Sequence, residues 1–456
     1  MSAVTGHLAG PRHRLATIEA VRRLGDWVAG LSWSDVPARV RERLELVLLD
    51  SLGVTVVGAR QPEQRALVAA WHPAPGPAPL FGAGHRTTVE AAAWLNATAL
   101  VRLELDEGHK YAKGHPAAHG LPAVLALAAE LGRPGTETMA ALLAGYEVAA
   151  RFGRATGLRP GAHPHGGWGV AGAAAGCARL LGLPGDGVAA AIDAGAGLPV
   201  AGHFSSALDG NPVRDAWVAA ANLSGLAAAR MAGAGLARNT GTPAGSLGEL
   251  LGSFEPGELT AELGERWDVT LGYFKRHASC SFTHPAADAA LLIRPELSRP
   301  EEVEEVLVET HSLAAGLDRT SWDHRLGALF STPFVVAAAL LHGEVGPDVS
   351  ADDRRDDPRL RALAGRVVVR RAADLDARLP AERAARVTVR AGGVTRVVEV
   401  PNPVGDSAHH PMAEDDVLAL LGRLLDAGTV HRVHEVAAAL ASSADVAVPL
   451  RRLAGT

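Results

Sequence analysis

The sequence predicts a mainly α protein, with a large all-helical domain and a smaller α+β domain inserted near its C-terminal end. Three observations predict it. Residues 14–262 carry helical apolar spacing and small-residue runs, with no strand of clear period two. Beyond about residue 265, alternating segments and a glycine-linked pair of strands appear. A proline-rich link at 401–411 then leads back to helical pattern. The expected division is 1–270 for the first part of the helical domain, 271–408 for the α+β domain and 409–456 for the returning helices.

Element by element, Pro37 opens PARVRERLELVLLDSLGVTVVGA (37–59), apolar at helical spacing with Gly53 and Gly58 near its end. Apolar helices are expected over 90–103 and 116–131, with Pro116 suited to a first helical position. Thr136 is the expected N-cap of a helix running through Tyr146 to about Arg154. GVAGAAAGCARLLG (169–182) and DAWVAAANLSGLAAARMAG (215–233) combine a small face with an aliphatic one, as buried helices approached closely by neighbours do. VEEVLVET (303–310) alternates like a strand, and RVTVRAGGVTRVVEV (386–400) reads as two strands turned by Gly392 and Gly393. Between them 331–342 and 356–364 look helical, while SADDRRDDPRL (350–360) reads as a charged, solvated loop. The final helices are expected over 413–427 and 432–441.

The chain has 456 residues, 48% hydrophobic and 21% charged, which suits two or three globular cores. A net charge of −6 argues against nucleic-acid binding. Two cysteines, Cys177 and Cys280, cannot build a disulfide framework, which fits a reducing cytoplasm. MSAVTGHLAGPRHR lacks a signal-peptide layout, and no apolar run approaches the roughly 18 residues that span a membrane. These readings lead to a cytoplasmic enzyme with no membrane association.

Only three lysines occur, Lys110, Lys113 and Lys275, and all lie beside histidines. They point to two polar clusters. The first, ELDEGHKYAKGHPAAH (104–119), sets Glu104, Asp106 and Glu107 among His109, His115 and His119 between two apolar helices. His115 falls at a helix N-terminus, which favours a neutral imidazole able to move a proton. His119, one turn into the helix, reads as packing. His163 and His165 again precede a helix. The second cluster, KRHASCSFTH (275–284), joins Lys275, His277 and Cys280 at the domain junction, a favoured place for small-molecule sites. Its cations suggest an anionic, carboxylate substrate, with Arg214 as a further carboxylate contact.

Gly167–Gly172 fits G-x-G-x-x-G, but the stretch before it, LRPGAHPHG, is no buried strand, so glycine-permitted packing explains it better than a dinucleotide. His115 and His119 have i,i+4 spacing, yet there is no H-E-x-x-H or C-x-x-C and the lysines oppose a dication, so no metal is expected. No G-x-S-x-G elbow supports a serine hydrolase.

Six segments in this order resemble the MmgE/PrpD family: LVLLDSLGVTVVGA (46–59), the acidic run ending in HPAAHGLPAVLALAAELG, AGYEVAARFGRA (144–155), His163 before GVAGAAAGCARLLGL, KRHASCSFTHPAADAAL (275–291) and FSTPFVVAAALLHGEVG (330–346). The resemblance implies a helical domain and a lid domain with the active site between them, a homodimer, and lyase or epimerase chemistry beside a carboxylate without metal or organic cofactor. It implies that Glu104 or Asp106, His115 and His163 are catalytic and that Lys275 holds substrate. Departures fall at Arg214 (often Lys in relatives), Cys280 (His in decarboxylases), Phe334 (often Tyr) and Gly108 (often Thr in citrate-type members). The resemblance thus implies a dehydratase-type elimination on a small anionic substrate in a specialised biosynthetic pathway, with decarboxylation, epimerisation or non-catalytic binding on the same fold as alternatives.

Overall fold

A computed structural model describes residues 10–455. Helices Pro11–Gly30, Ala38–Ala59, Val89–Val101, Pro116–Leu131, Gly135–Ala155, Val170–Leu180, Gly185–Ala196 and Val213–Gly233 make the helical body. Val170–Leu180 lies at its centre, packed on Pro116–Leu131, Gly135–Ala155, Gly185–Ala196 and Val213–Gly233. Small residues permit this crowding. A Cβ at Gly172 would stand 2.5 Å from the carbonyl oxygen of Gly145, and one at Gly225 would stand 2.3 Å from Ala173 Cβ. Gly169 faces the His119 ring, where a Cβ would approach to 2.3 Å. Gly169 and Gly172 of the G-x-G-x-x-G pattern are therefore spacers between packed groups.

The second hydrophobic core is built on a four-stranded sheet in the order Val394–Val400, Ala385–Ala391, Val303–Thr310, Val367–Arg371. The first three strands are antiparallel and the last is parallel to Val303–Thr310. Gly392 and Gly393 turn the hairpin at φ 57° and 73°, conformations glycine adopts without strain. Val303, Val306 and Val308 face inward with Val387 and Val389, toward helices His284–Ile293 and Thr332–His342. Helices Glu414–Gly422 and Ala427–Leu440 return to pack on Ala38–Ala59. Among the described residues, no helix is long and apolar enough to cross a membrane.

Several local expectations need correction. The helix through Tyr146 starts at Gly135 behind Pro134, so Thr136 lies inside its first turn. The 350–360 segment is turned rather than loose. Pro347–Ser350, Asp352–Arg355 and Pro358–Ala364 are helical, held by Arg355 on Asp352 (2.9 Å) and by the Asp357 side chain capping the Arg359 N–H (2.8 Å). The last long helix begins at Ala427, earlier than expected, because Asp426 caps the Thr429 N–H (2.9 Å). Val367–Arg371 went unforeseen. It is a sheet edge with one fully buried residue, so its sequence lacks alternation. Two- and three-residue strands also occur in the first half, among them Gly108–His109 paired with Gly272–Tyr273.

The close approach of Ala38–Ala59 to Val89–Val101 gives a test. A Cβ at Gly58 would lie 1.9 Å from the Ala99 carbonyl oxygen, a backbone atom that cannot rotate away. Gly58→Ala is expected to destabilise the protein by about 1–3 kcal/mol, read as a fall in Tm. An unchanged Tm would mean that the two helices have room to part.

Candidate functional site

The site forms where four segments meet. The chain leaves helix Val89–Val101, passes Glu104 in a left-handed conformation (φ 54°), and delivers Asp106 and Glu107 ahead of the short strand Gly108–His109. That strand pairs with Gly272–Tyr273, which sets Lys275 beside the acidic run. Lys275 Nζ lies 3.1 Å from Glu104 Oε2 and 3.1 Å from Asp106 Oδ1. Arg214, at the start of helix Val213–Gly233, pairs with Glu104 and lies 3.3 Å from Asp215. Arg102 completes the cluster at 2.6 Å from Asp215.

His115 precedes Pro116 at a helix start. Its Nδ1 is 2.7 Å from the Glu107 carbonyl oxygen and 3.0 Å from Asp106 Oδ2. Both neighbours are acceptors, so Nδ1 carries the proton and Nε2 keeps its lone pair. Burial pulls the His115 pKa below its ordinary value, against the opposing pull of Asp106. His163 has the complementary tautomer: its Nδ1 accepts the His165 N–H (3.1 Å), leaving the proton on Nε2. Burial first, then Arg214, holds it well below the ordinary value, so it is neutral. Its ring stacks on Phe204 at 5.2 Å. Burial would raise the Asp106 carboxyl, but His115, Lys275 and Arg214 outweigh it and hold it low. Burial lowers Lys275, but Asp106 and Glu104 reverse this and keep it charged.

Glu104, His115, His163, His165, Arg214, Tyr273, Cys280 and Phe330 line a small cavity of about 50 Å³. Asp106 and Lys275 lie behind this lining, fully buried and joined to it through Glu104 and His115. Burial pushes the Cys280 thiol up to about 12, so it stays protonated. Two residues expected to bind substrate are placed elsewhere. Phe334 is buried in the second core, with its ring 5.0 Å from Trp322, because it falls on the inward face of helix Thr332–His342. Phe330, just before that helix, lines the cavity. His277 turns to Asp288 (2.9 Å) and lines a separate cavity with Arg276 and Glu344. His119 packs as expected: Nδ1 donates to the His115 carbonyl (2.7 Å) and Nε2 accepts the Gly166 N–H (3.1 Å).

Sequence reasoning missed the support behind His115. Tyr146 Oη donates to Glu107 Oε1 (2.7 Å), and the Ala117 N–H donates to Glu107 Oε2 (3.1 Å). Asp50 is fully buried nearby, and burial followed by Glu107 and Asp106 raises its carboxyl well above the ordinary range. Arg383, from the turn before strand Ala385–Ala391, also lines the cavity and was not foreseen. Asp106 and Glu107 adjoin in the sequence, which was the available signal for Glu107; nothing local marks Arg383.

Ligand atoms of Asp106, His115 and His165 lie within 4.8 Å of one another, a set a metal could use. The histidines that converge are His115 and His165, not the i,i+4 pair His115 and His119. Lys275 already holds Asp106, and Arg214 Nη2 is 3.3 Å from His165 Nδ1. Two permanent cations at these ligand atoms oppose a dication, so the donor set fits proton transfer better than coordination.

Comparison with known proteins identifies the family. Residues 22–248 match the MmgE/PrpD N-terminal domain and residues 277–440 the MmgE/PrpD C-terminal domain. The chain is 26% identical to a cis-aconitate decarboxylase of Aspergillus terreus, over 94% of each chain. It is 26% identical to the cis-aconitate decarboxylase-like protein oryM of Aspergillus oryzae, over 95% of this chain and 96% of that protein. With both domains matched in order around one buried histidine–carboxylate site, the chain belongs to the MmgE/PrpD family.

Proposed function

We propose that this chain is a lyase that eliminates water or a similar group from a small carboxylate substrate, with its own side chains as the only catalysts. The observation that carries this reading is the resting state of His115. It is neutral, with Nδ1–H directed at Asp106 and the Glu107 carbonyl, so Nε2 begins the reaction as a base. His115 Nε2 takes the proton from the carbon beside the substrate carboxylate. The electron pair left on that carbon forms the new double bond as the β-substituent departs. The imidazolium, steadied by ionised Asp106, returns the proton to the departing oxygen, so water leaves and His115 is neutral again. His163 is too weakly acidic as a neutral ring to release its proton. Its Nε2–H instead donates a hydrogen bond to the oxygen on which charge gathers.

Decarboxylation is the second reading, favoured by the names of the two relatives. It needs the opposite resting state, because the carbanion left by carbon dioxide must be met by a histidine already protonated. The two readings therefore differ in pH dependence. For elimination, kcat/KM rises as His115 loses its proton, with a midpoint below the ordinary histidine value of 6.5. For decarboxylation through His115, activity falls over that interval. Assays on 2-methylcitrate and cis-aconitate, followed by larger β-hydroxy acids, supply the profile. His115→Asn is expected to lower kcat by about 10²–10⁴-fold in the folded protein, and Asp106→Asn to lower it with little change in KM. Full activity in His115→Asn would exclude the assignment.

Glu107 gives an independent test of the support. Burial first, opposed by Tyr146 and the Ala117 N–H, raises its carboxyl to about 8. The folded value lies above the unfolded one, so the folded state favours the protonated form. That stabilisation is complete below pH about 4.3 and is lost as pH rises through about 8. Glu107→Gln keeps the neutral shape without the titration. Its Tm relative to the parent is expected to climb between about pH 5 and about pH 8, by an amount corresponding to a few kcal/mol. Parallel Tm curves would show that Glu107 titrates normally.

A further inference from the structure

The inner site is balanced in charge. Arg102, Arg214 and Lys275 face Glu104, Asp106 and Asp215, each cation within ion-pair reach of at least one carboxylate. A substrate anion entering there meets no uncompensated positive charge. Two cations at the rim differ. Arg383 is 7% exposed. It donates to the Lys110 carbonyl (3.0 Å), stands 3.5 Å from Ser281 Oγ, and lies over the rings of Phe282 and Tyr273 at 5.1 and 5.7 Å. Lys113 Nζ donates to the Thr156 carbonyl (3.1 Å). Among the described residues, neither has a carboxylate within ion-pair distance. A nearly buried guanidinium without a counterion is costly, and a bound anion removes that cost.

Both residues stand at a junction. Beyond the inner cavity lies a vestibule of about 750 Å³, and the two spaces share Lys113, Pro164, Phe204, Phe282 and Arg383 as lining. Tyr111, Trp168, Leu158 and Leu313 give the vestibule apolar walls. Its other buried or half-buried cations are neutralised, Lys110 by Asp406 (2.9 Å) and Arg154 by Asp268 (2.6 Å). The inner cavity, about 50 Å³, is much the smaller of the two spaces. The vestibule has the volume of a site for a far larger ligand.

We propose that Arg383 and Lys113 form a carboxylate-anchoring subsite at the neck, and that the vestibule beyond it takes an apolar aryl or alkyl body. The substrate is then a hydroxy acid that carries such a body. Its reacting carbon enters the histidine cavity, its carboxylate stops at the neck, and its body lies against Phe204, Phe282 and Leu313. This deepens the lyase reading and rests on it for which end of the acid reacts. The anchoring pair and the vestibule can be tested by binding alone.

The test is calorimetric titration of the full chain with succinate and with benzylsuccinate, which adds an aryl body to the same pair of carboxylates. Benzylsuccinate is expected to bind at least about tenfold more tightly, as burial of a phenyl group predicts. Lys113→Gln and Arg383→Gln are each expected to weaken both probes by about tenfold, the scale of a lost charge-assisted contact. Leu313→Ser, in the vestibule only, is expected to weaken benzylsuccinate several-fold and leave succinate unchanged. Lys113 and Leu313 are exposed, so their variants remain informative if Arg383→Gln fails to fold. Equal affinity for the two probes, no binding of either by folded protein, or unchanged affinity in Lys113→Gln would each overturn the proposal. An inert His115→Asn protein that still binds benzylsuccinate supports the subsite, whereas retained turnover in that variant removes the lyase assignment without touching the subsite.

Discussion

The structure depends on one buried ion cluster. Lys275 is held by Glu104 and Asp106, and Arg214 shares Glu104. These residues come from three distant stretches of chain, and all are essentially excluded from water. Buried ion pairs contribute little net stability, because desolvation offsets attraction, but removing one member leaves a buried charge exposed to a low dielectric. The cluster therefore acts as a three-way constraint. The acidic run can sit in only one place relative to Lys275 and to the start of helix Val213–Gly233. The left-handed Glu104 is consistent with this, since a non-glycine residue holds such a conformation only where its surroundings over-determine it.

The histidines inherit their chemistry from that constraint. Lys275 keeps Asp106 ionised, and Asp106 together with the Glu107 carbonyl fixes the proton of His115 on Nδ1. Burial keeps the ring neutral, so a base faces the cavity. His163 is set oppositely by a single backbone contact, the His165 N–H on its Nδ1. Two imidazoles in one small cavity thus present different faces, one a lone pair and one a proton. The difference comes from hydrogen-bond partners that are neither substrate nor solvent.

Much of this was legible in the sequence, and the misses have definite causes. Helical body, inserted sheet and returning helices follow from apolar period and from the glycine pair at 392–393. Lysine scarcity led to Lys275, and local spacing led to His115 and His163. Phe334 was expected in the pocket because many relatives carry Tyr there, and His277 because it belongs to the cationic segment 275–284; their chain neighbours Phe330 and Cys280 line the cavity instead. Which side of a turn faces the cavity depends on packing, and periodicity does not carry it. Tyr146 and Arg383 escaped for a related reason: each reaches the site across long sequence separation, from an apolar helix and from the turn before strand Ala385–Ala391, with no local chemistry to mark it.

Lysine also shows why a shared pocket need not mean a shared substrate. Lys275 is locked between carboxylates, and Lys110 is matched by Asp406. Lys113 alone of the three has no such match among the described residues, and it sits where the small cavity opens into the large one. Neutralised cations position groups, whereas an uncompensated cation recruits an anion. On the proposed reading, the inner cluster sets what kind of proton transfer the site performs, and the neck and vestibule set which acid reaches it. Those two layers are built from different segments, so the outer one can change without disturbing the ion cluster on which the histidines depend.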